Sequence, residues 1–192
     1  MPTTRDRIVA AAVEMTTSSG WAAVTMARLA DAAGVSRQTV YNEVGSKPAL
    51  AETMILEELA RFLQVVEHAF DAEPEDLTRG IERSVTDVLT YARDNDLLHA
   101  VVSATHGADT ELLPLLTTNA AGLLGVAKEV VSARVVPYAP DIDPDRLDPA
   151  IDMVVRVVLS HVMQPSGTPA RTGADIAWLA GQVLGGSRAD AS

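Results

Sequence analysis

The stretch Thr25 to Val44, TMARLADAAGVSRQTVYNEV, constrains this chain more than any other. Met26, Leu29, Ala30 and Ala33 recur at three- and four-residue spacing, so they share one helical face. Gly34 follows, where a chain turning sharply out of a helix needs a residue that tolerates positive φ. Ser36 then offers a side-chain oxygen to cap a second helix. Val35 and Val40 fall where that helix must pack on the first, and the small Ala30 lets the two approach closely. An alanine, a glycine four residues on and a valine six after that, bracketed by caps, make a helix-turn-helix pattern. The same pattern serves as a plain αα corner in helical proteins of any function. The exposed face of the second helix favours more than that, because Arg37, Gln38, Thr39 and Asn42 suit base edges and phosphates.

The chain has 192 residues, enough for one sizeable core or for a small module and a larger one. Apolar residues make up 47% and aromatics only 4%, so the core must be built from Ala, Val and Leu, which suits helices. Cysteine is absent, which removes disulfides, thiolate catalysis and Cys-based zinc sites and fits a cytoplasmic protein. Arg5 and Arg7 before an apolar run resemble the start of a signal peptide, but Glu14 ends the run too soon. No stretch approaches the roughly 18 apolar residues of a membrane span. Neither export nor membrane insertion is expected.

A net charge of −11 argues against nucleic acid at first sight. The distribution of that charge argues the other way. Residues 1–50 carry Arg5, Arg7, Arg28, Arg37 and Lys47 against Asp6, Glu14, Asp31 and Glu43, close to neutrality, and the acid lies in the remainder. A few placed cations would then attract phosphate locally, with modest non-specific affinity because few counterions are released.

A first helix is expected from about Thr4 to Ser18, with Thr3 as cap and Asp6 completing a capping box. Trp21 and Val24 read as packing, and Thr25 caps the next helix. After Val44, Gly45 breaks the recognition helix. Ser46 caps a long one spanning Lys47 to Phe70, with Pro48 in its first turn. Lys47 is unfavourable for the dipole of that helix, which suggests a phosphate-binding role.

Residues 5–70 resemble the N-terminal region of the TetR family of bacterial transcriptional regulators, on RIVAAAVEM, GWAAVTMARLADAAGVSRQTVYNEVGSKPAL and the long helix that follows. One departure is that the family usually has an aromatic where Val44 stands, which weakens a packing contact. The resemblance implies phosphate binding at Thr25, Tyr41 and Lys47. With hydroxyls or helix-start N–H groups of Thr25 and Ser36 added, the candidate DNA-binding set is Thr25, Ser36, Arg37, Gln38, Thr39, Tyr41, Asn42 and Lys47.

The rest of the chain has no strand signals. Pro74, with Glu75 and Asp76, is expected to open a helix carrying Ile81, Val85, Val88, Leu89 and Ala92. A short apolar helix covers Leu97 to Ala104. A helix or helix pair runs from about Thr110 to Val135, interrupted near Pro114 to Thr118. After a proline-rich loop, Asp148 and Pro149 open a helix to about Met163. Thr172, with Asp175, opens the last one, to about Leu184.

No Ser/His/Asp arrangement, phosphate loop or metal-ligand spacing occurs, since His68, His99, His106 and His161 never share a local helix face. Neither catalytic residues, metal nor cofactor are expected. The stripes of Phe62, Leu63, Val66, Val88, Leu89, Leu98, Val101, Val102, Leu116 and Leu123 can simply fill a core. The resemblance implies that they line a cavity for a small molecule, with Asn119, beside Thr117 and Thr118, among its few polar groups. So few charges point to a largely apolar effector, such as a fatty acid. Ile151, Val154, Val155, Val158 and Val162 form a broad apolar face, and Ala177, Gly181 and Gly185 a small-residue stripe. These residues pack on their own chain or form the homodimer interface that the resemblance implies.

The sequence thus predicts an all-α protein of about nine helices. A helix-turn-helix module spans 1–46, a regulatory and dimerisation domain 47–186, and a flexible tail 187–192. The expected function is that of a ligand-responsive regulator, most simply a repressor, on a palindromic double-stranded DNA operator. The rival is a small helical lipid-binding protein or enzyme with an incidental helix-turn-helix.

Overall fold

The computed structural model describes residues 1–105 and 120–184. Their regular structure is entirely helical. The helices are α1 (Thr4–Ser19), α2 (Met26–Ala33), α3 (Arg37–Val44), α4 (Lys47–Asp71), α5 (Leu77–Arg93), α6 (Asp96–Thr105), α7 (Ala120–Val135), α8 (Pro144–Met163) and α9 (Pro169–Leu184). Short 3-10 turns occur at Trp21–Ala23 and Val136–Tyr138. The all-α class expected from periodicity is the class observed. Among the described residues no helix is long and apolar enough to cross a membrane. His106, Leu116, Thr117, Thr118, Asn119, Gly185 and the tail at 187–192 lie outside the described residues.

The N-terminal caps form as their chemistry requires. Thr3 and Asp6 make a reciprocal capping box on α1, Thr25 accepts from the Arg28 amide, and Ser36 accepts from the Thr39 amide. Gly34 sits at φ 65°, ψ 39°, the left-handed conformation that ends α2, while Val35 N donates to Ala30 O at 3.0 Å.

The chain divides into two compact units. The first holds Met1–Leu59 and the described part of Asn95–Ala121; the second holds Ala60–Asp94 and the described part of Gly122–Ser192. The first unit's core joins Ile8 and Ala12 of α1, Trp21, Val24, Leu29 and Ala30, Val40 and Val44, and Leu50 and Met54 of α4. Leu97 and Val101 of α6 complete it, so α6 packs as a fifth helix of this unit. Val44 is buried there despite being smaller than the family's aromatic.

The second unit's core joins Val66 and Phe70 of α4, Ile81, Val85, Val88 and Leu89 of α5, Val135, Ile151 and Val155, and Ile176, Ala177, Ala180 and Leu184 of α9. Helix α9 lies close along α5, and small residues make this possible. A Cβ on Gly173 would stand 2.1 Å from Thr86 Oγ1 and 3.0 Å from the Glu82 carbonyl oxygen. Arg134 of α7 bridges Glu67 at 2.9 Å and Asp71 at 2.5 Å, tying α7 to the end of α4.

Three helix starts differ from expectation, each at a proline. Pro74 lies in the turn before α5, which begins at Leu77 with Asp76 as its cap. Helix α8 starts at Pro144 with Asp143 as cap, which leaves Pro149 inside the helix, where it removes one backbone hydrogen bond. Helix α9 starts at Pro169, and the Thr168 hydroxyl accepts from Arg171 N at 3.4 Å; Thr172 is buried inside the helix.

Candidate nucleic-acid interface

All eight candidate DNA-binding residues belong to the first unit. Val40 and Val44 face the core and fix the rotation of α3. The opposite side of α3 then carries Arg37, Gln38, Tyr41 and Asn42, all exposed; Tyr41 keeps 47% of its surface in solvent. An exposed Tyr beside two amides and an arginine offers donors and acceptors with no internal demand for burial.

Several of these side chains are already held in place. Gln38 Nε2 donates to Asn42 Oδ1 at 3.0 Å, one helical turn away. The Ser36 and Thr39 hydroxyls lie 2.9 Å apart, and Ser36 Oγ also accepts the Thr39 amide at 3.0 Å. These two oxygens are therefore first of all the start of α3. Thr25 is exposed at the cap of α2. Lys47 Nζ stands 5.0 Å from the centre of the Trp21 ring, a cation–π contact. That contact gives Lys47 a role within the unit, beside the phosphate-binding role its position suggests.

Two arginines in this unit bind backbone carbonyls. Arg28 Nη1 donates to Ala23 O at 2.7 Å, and Arg5 Nη1 to Glu43 O at 2.8 Å. The Arg5 contact joins residues 38 positions apart, so no local pattern in the sequence announces it.

The pocket candidates fall in both units. Phe62, Leu63, Val66, Val88, Leu89 and Leu123 belong to the second, where Phe62 meets Tyr91 edge-on with ring centroids 4.8 Å apart. Leu98, Val101 and Val102 belong to the first, with Val101 in its core. Of the interface candidates, Ile151, Val155 and Ala177 are buried within their own chain, and Val154, Val158 and Val162 are half-buried against the same core. Gly181 faces α5, where an added Cβ would meet Thr78 Oγ1 at 3.5 Å. The small residues of α9 therefore serve the approach to α5. Met153, Leu159 and Met163 of α8 and Trp178, Leu179 and Val183 of α9 remain exposed, and Leu179 and Val183 flank the small-residue stripe of Ala177 and Gly181 along the sequence. Among the described residues no group of three or more His, Asp or Glu is placed to hold a metal ion.

Residues 8–54 match the family model for bacterial regulatory proteins of the tetR family, and residues 76–182 match that for the bacterial tetracyclin repressor C-terminal domain. The chain belongs to the TetR family. It is a DNA-binding transcriptional regulator of the helix-turn-helix type, in the company of regulators rather than enzymes. The HTH-type transcriptional regulator AlkX of Mycobacterium tuberculosis is 30% identical over 182 residues, covering 91% of this chain and 82% of the relative. Among solved structures, the TetR family repressor AlkX from Dietzia, implicated in biodegradation of n-alkanes, superposes with a TM-score of 0.71. It is 25% identical, and the match covers 95% of this chain and 97% of that one. The fatty acid degradation regulator FadR from Bacillus halodurans shares the fold, at a TM-score of 0.58, 21% identity and 98% coverage of both chains.

Proposed function

We propose that this TetR-family regulator is a repressor acting as a two-fold dimer on a palindromic operator, released by a largely apolar small molecule. The observation that carries the DNA part is the outward face of α3, where Arg37, Gln38, Tyr41 and Asn42 stand exposed while Val40 and Val44 anchor the helix. Arg37 suits guanine and Gln38 adenine, with Thr39 near a thymine methyl; Thr25, Tyr41 and Lys47 suit phosphates. Two copies would place their α3 helices in major grooves about 34 Å apart.

The dimer contact is assigned to the exposed side of α8 and α9, with Trp178 and Leu179 at its centre. Six large apolar side chains left in water on two helices favour a second copy of the chain. Trp178→Asp should shift the protein to a monomer in sedimentation; a persistent dimer would reject this face.

The effector is assigned to the apolar side chains of the second unit, around Phe62, Val66, Val88 and Leu89. Its class, a long alkyl chain such as a fatty acid, draws support from the n-alkane association of the Dietzia relative. Helix α4 runs from Lys47 in the first unit to Asp71 in the second, so a ligand that shifts its far half would tilt the near one. This requires the ligand to bind the DNA-free state more tightly than the DNA-bound state.

The test is binding of the full chain to a selected operator by fluorescence anisotropy. Arg37→Ala should cost about 1–3 kcal/mol of specific binding per half-site, with helix content intact. Palmitate should release the operator while butyrate does not. Wild-type affinity in Arg37→Ala and Tyr41→Phe would overturn the interface; indifference to every chain length would overturn the effector class.

A further inference from the structure

The first turn of α1 and the last turn of α3 are far apart in sequence, yet Arg5 joins them. Its guanidinium forks: Nη1 donates to Glu43 O at 2.8 Å, and Nη2 donates to Thr53 Oγ1 of α4 at 3.2 Å. The Thr53 hydroxyl in turn donates to Ala49 O at 3.0 Å, so that acceptor is itself fixed. Glu43 is the next-to-last residue of α3, and its carbonyl is among those a helix cannot satisfy internally. The last turn of α3 contains no basic residue of its own. Arg5 supplies both the missing donor and a cation at the negative end of the helix dipole.

Helix α3 has only eight residues, too few to persist without tertiary support. Val40 and Val44 fix which side faces inward, but an apolar contact is tolerant of sliding and tilting. A planar fork spanning two acceptors on two helices is not. We infer that Arg5 is a positioning residue for DNA recognition, one that sets the angle of α3 against α4 without touching DNA. The inference rests on the assignment of α3 as the recognition helix. Arg5 is also exposed on the same unit, so direct phosphate contact is the competing role, and the two differ in measurable ways.

The experiment compares wild type, Arg5→Lys and Arg5→Ala, with Arg37→Ala as the base-contact control, in operator binding across a salt series. A positioning arginine cannot be replaced by lysine, whose single point-like head cannot reproduce the fork. Both Arg5 variants should therefore bind about tenfold more weakly, in keeping with the loss of charge-assisted hydrogen bonds. The slope of log affinity against log salt should stay at the wild-type value. A phosphate contact predicts the reverse: lysine restores affinity, and alanine reduces the slope by about 0.9 for each protomer, about 1.8 for the dimer. That result would overturn the proposal.

A second arm needs no DNA. Amide hydrogen exchange in both variants should quicken at the end of α3 and the start of α4, with α2 and the second unit as protected as in wild type. Unchanged exchange at α3, or a uniform rise throughout the first unit, would also overturn it. Should wild type bind no duplex at all, the recognition-helix assignment fails, and the exchange arm still decides whether Arg5 holds α3.

Discussion

The two compact units use their apolar residues differently. Among the described residues of the first, the large apolar side chains left exposed are Met1, Tyr41 and Leu56. In the second they are Val126, Val136, Met153, Leu159, Met163, Trp178, Leu179 and Val183. The first unit consumes its hydrophobic side chains in its own core and offers water a polar face, led by Arg37, Gln38 and Asn42. Such a surface suits a charged, hydrated polymer. The second retains apolar surface after closing its core, as expected of a module completed by apolar partners.

If each unit is stabilised by its own core, damage should stay local. Leu29 is completely buried in the first unit. Leu29→Ala should cost about 3 kcal/mol, the usual scale for a cavity at a fully buried leucine. Hydrogen exchange should then show α1 to α3 losing protection while α5 and α9 keep theirs. Equal loss in both units would break the comparison at its root. The mirror experiment is Gly173→Ala in the second unit, where the added methyl collides with Thr86 Oγ1. We expect a loss of about 2 kcal/mol, typical of overpacking, with α5 and α9 loosened and α3 unaffected. Thr86→Ala in the same chain should restore part of it, since the Glu82 carbonyl at 3.0 Å remains in the way.

The sequence disclosed the two units unevenly, for a physical reason. In the first, the signals that build the helix-turn-helix are local: Thr25, Gly34 and Ser36 each act on residues within about one turn, so their roles follow from spacing alone. In the second, local signals compete. The run from Asp143 to Pro149 contains two Asp-Pro pairs, each an acceptable cap followed by a first-turn proline, and spacing alone does not rank them. The structure uses Asp143–Pro144, and in the longer helix Asp148 lies 3.1 Å and Asp152 3.4 Å from Lys128 on α7, contacts that no local spacing announces. Gly181 shows the same gap. Its spacing from Ala177 indicates close approach of some helix, and only the fold shows that this helix is α5. Within the candidate interface, side chains on α3 were legible because exposure follows from the burial of Val40. Arg5 was not, because its acceptors lie 38 and 48 residues away.

The smallest expected effect separates the units by the origin of their charge interactions. Asp6 and Asp152 both titrate below the ordinary value of 3.8, for different reasons. The Thr3 backbone amide, at 2.8 Å, holds Asp6 down first, helped by the Thr3 hydroxyl. Asp152 is held down first by Arg156, at 2.7 Å, and further by Lys128. A carboxyl depressed in the folded state contributes stability fully above its unfolded pKa and loses it as pH falls through the folded one. Asp6→Asn and Asp152→Asn should therefore both lower the melting temperature slightly at neutral pH, and both deficits should vanish in acid below the folded pKa. Salt distinguishes them, because screening weakens ion pairs at the surface while an amide in a capping box keeps its donor. Raising ionic strength at neutral pH should shrink the Asp152→Asn deficit and spare that of Asp6→Asn. Equal shrinkage would mean that Asp6 is held by nearby charge rather than by the start of α1, and the difference between the two units would then stop at their apolar surfaces.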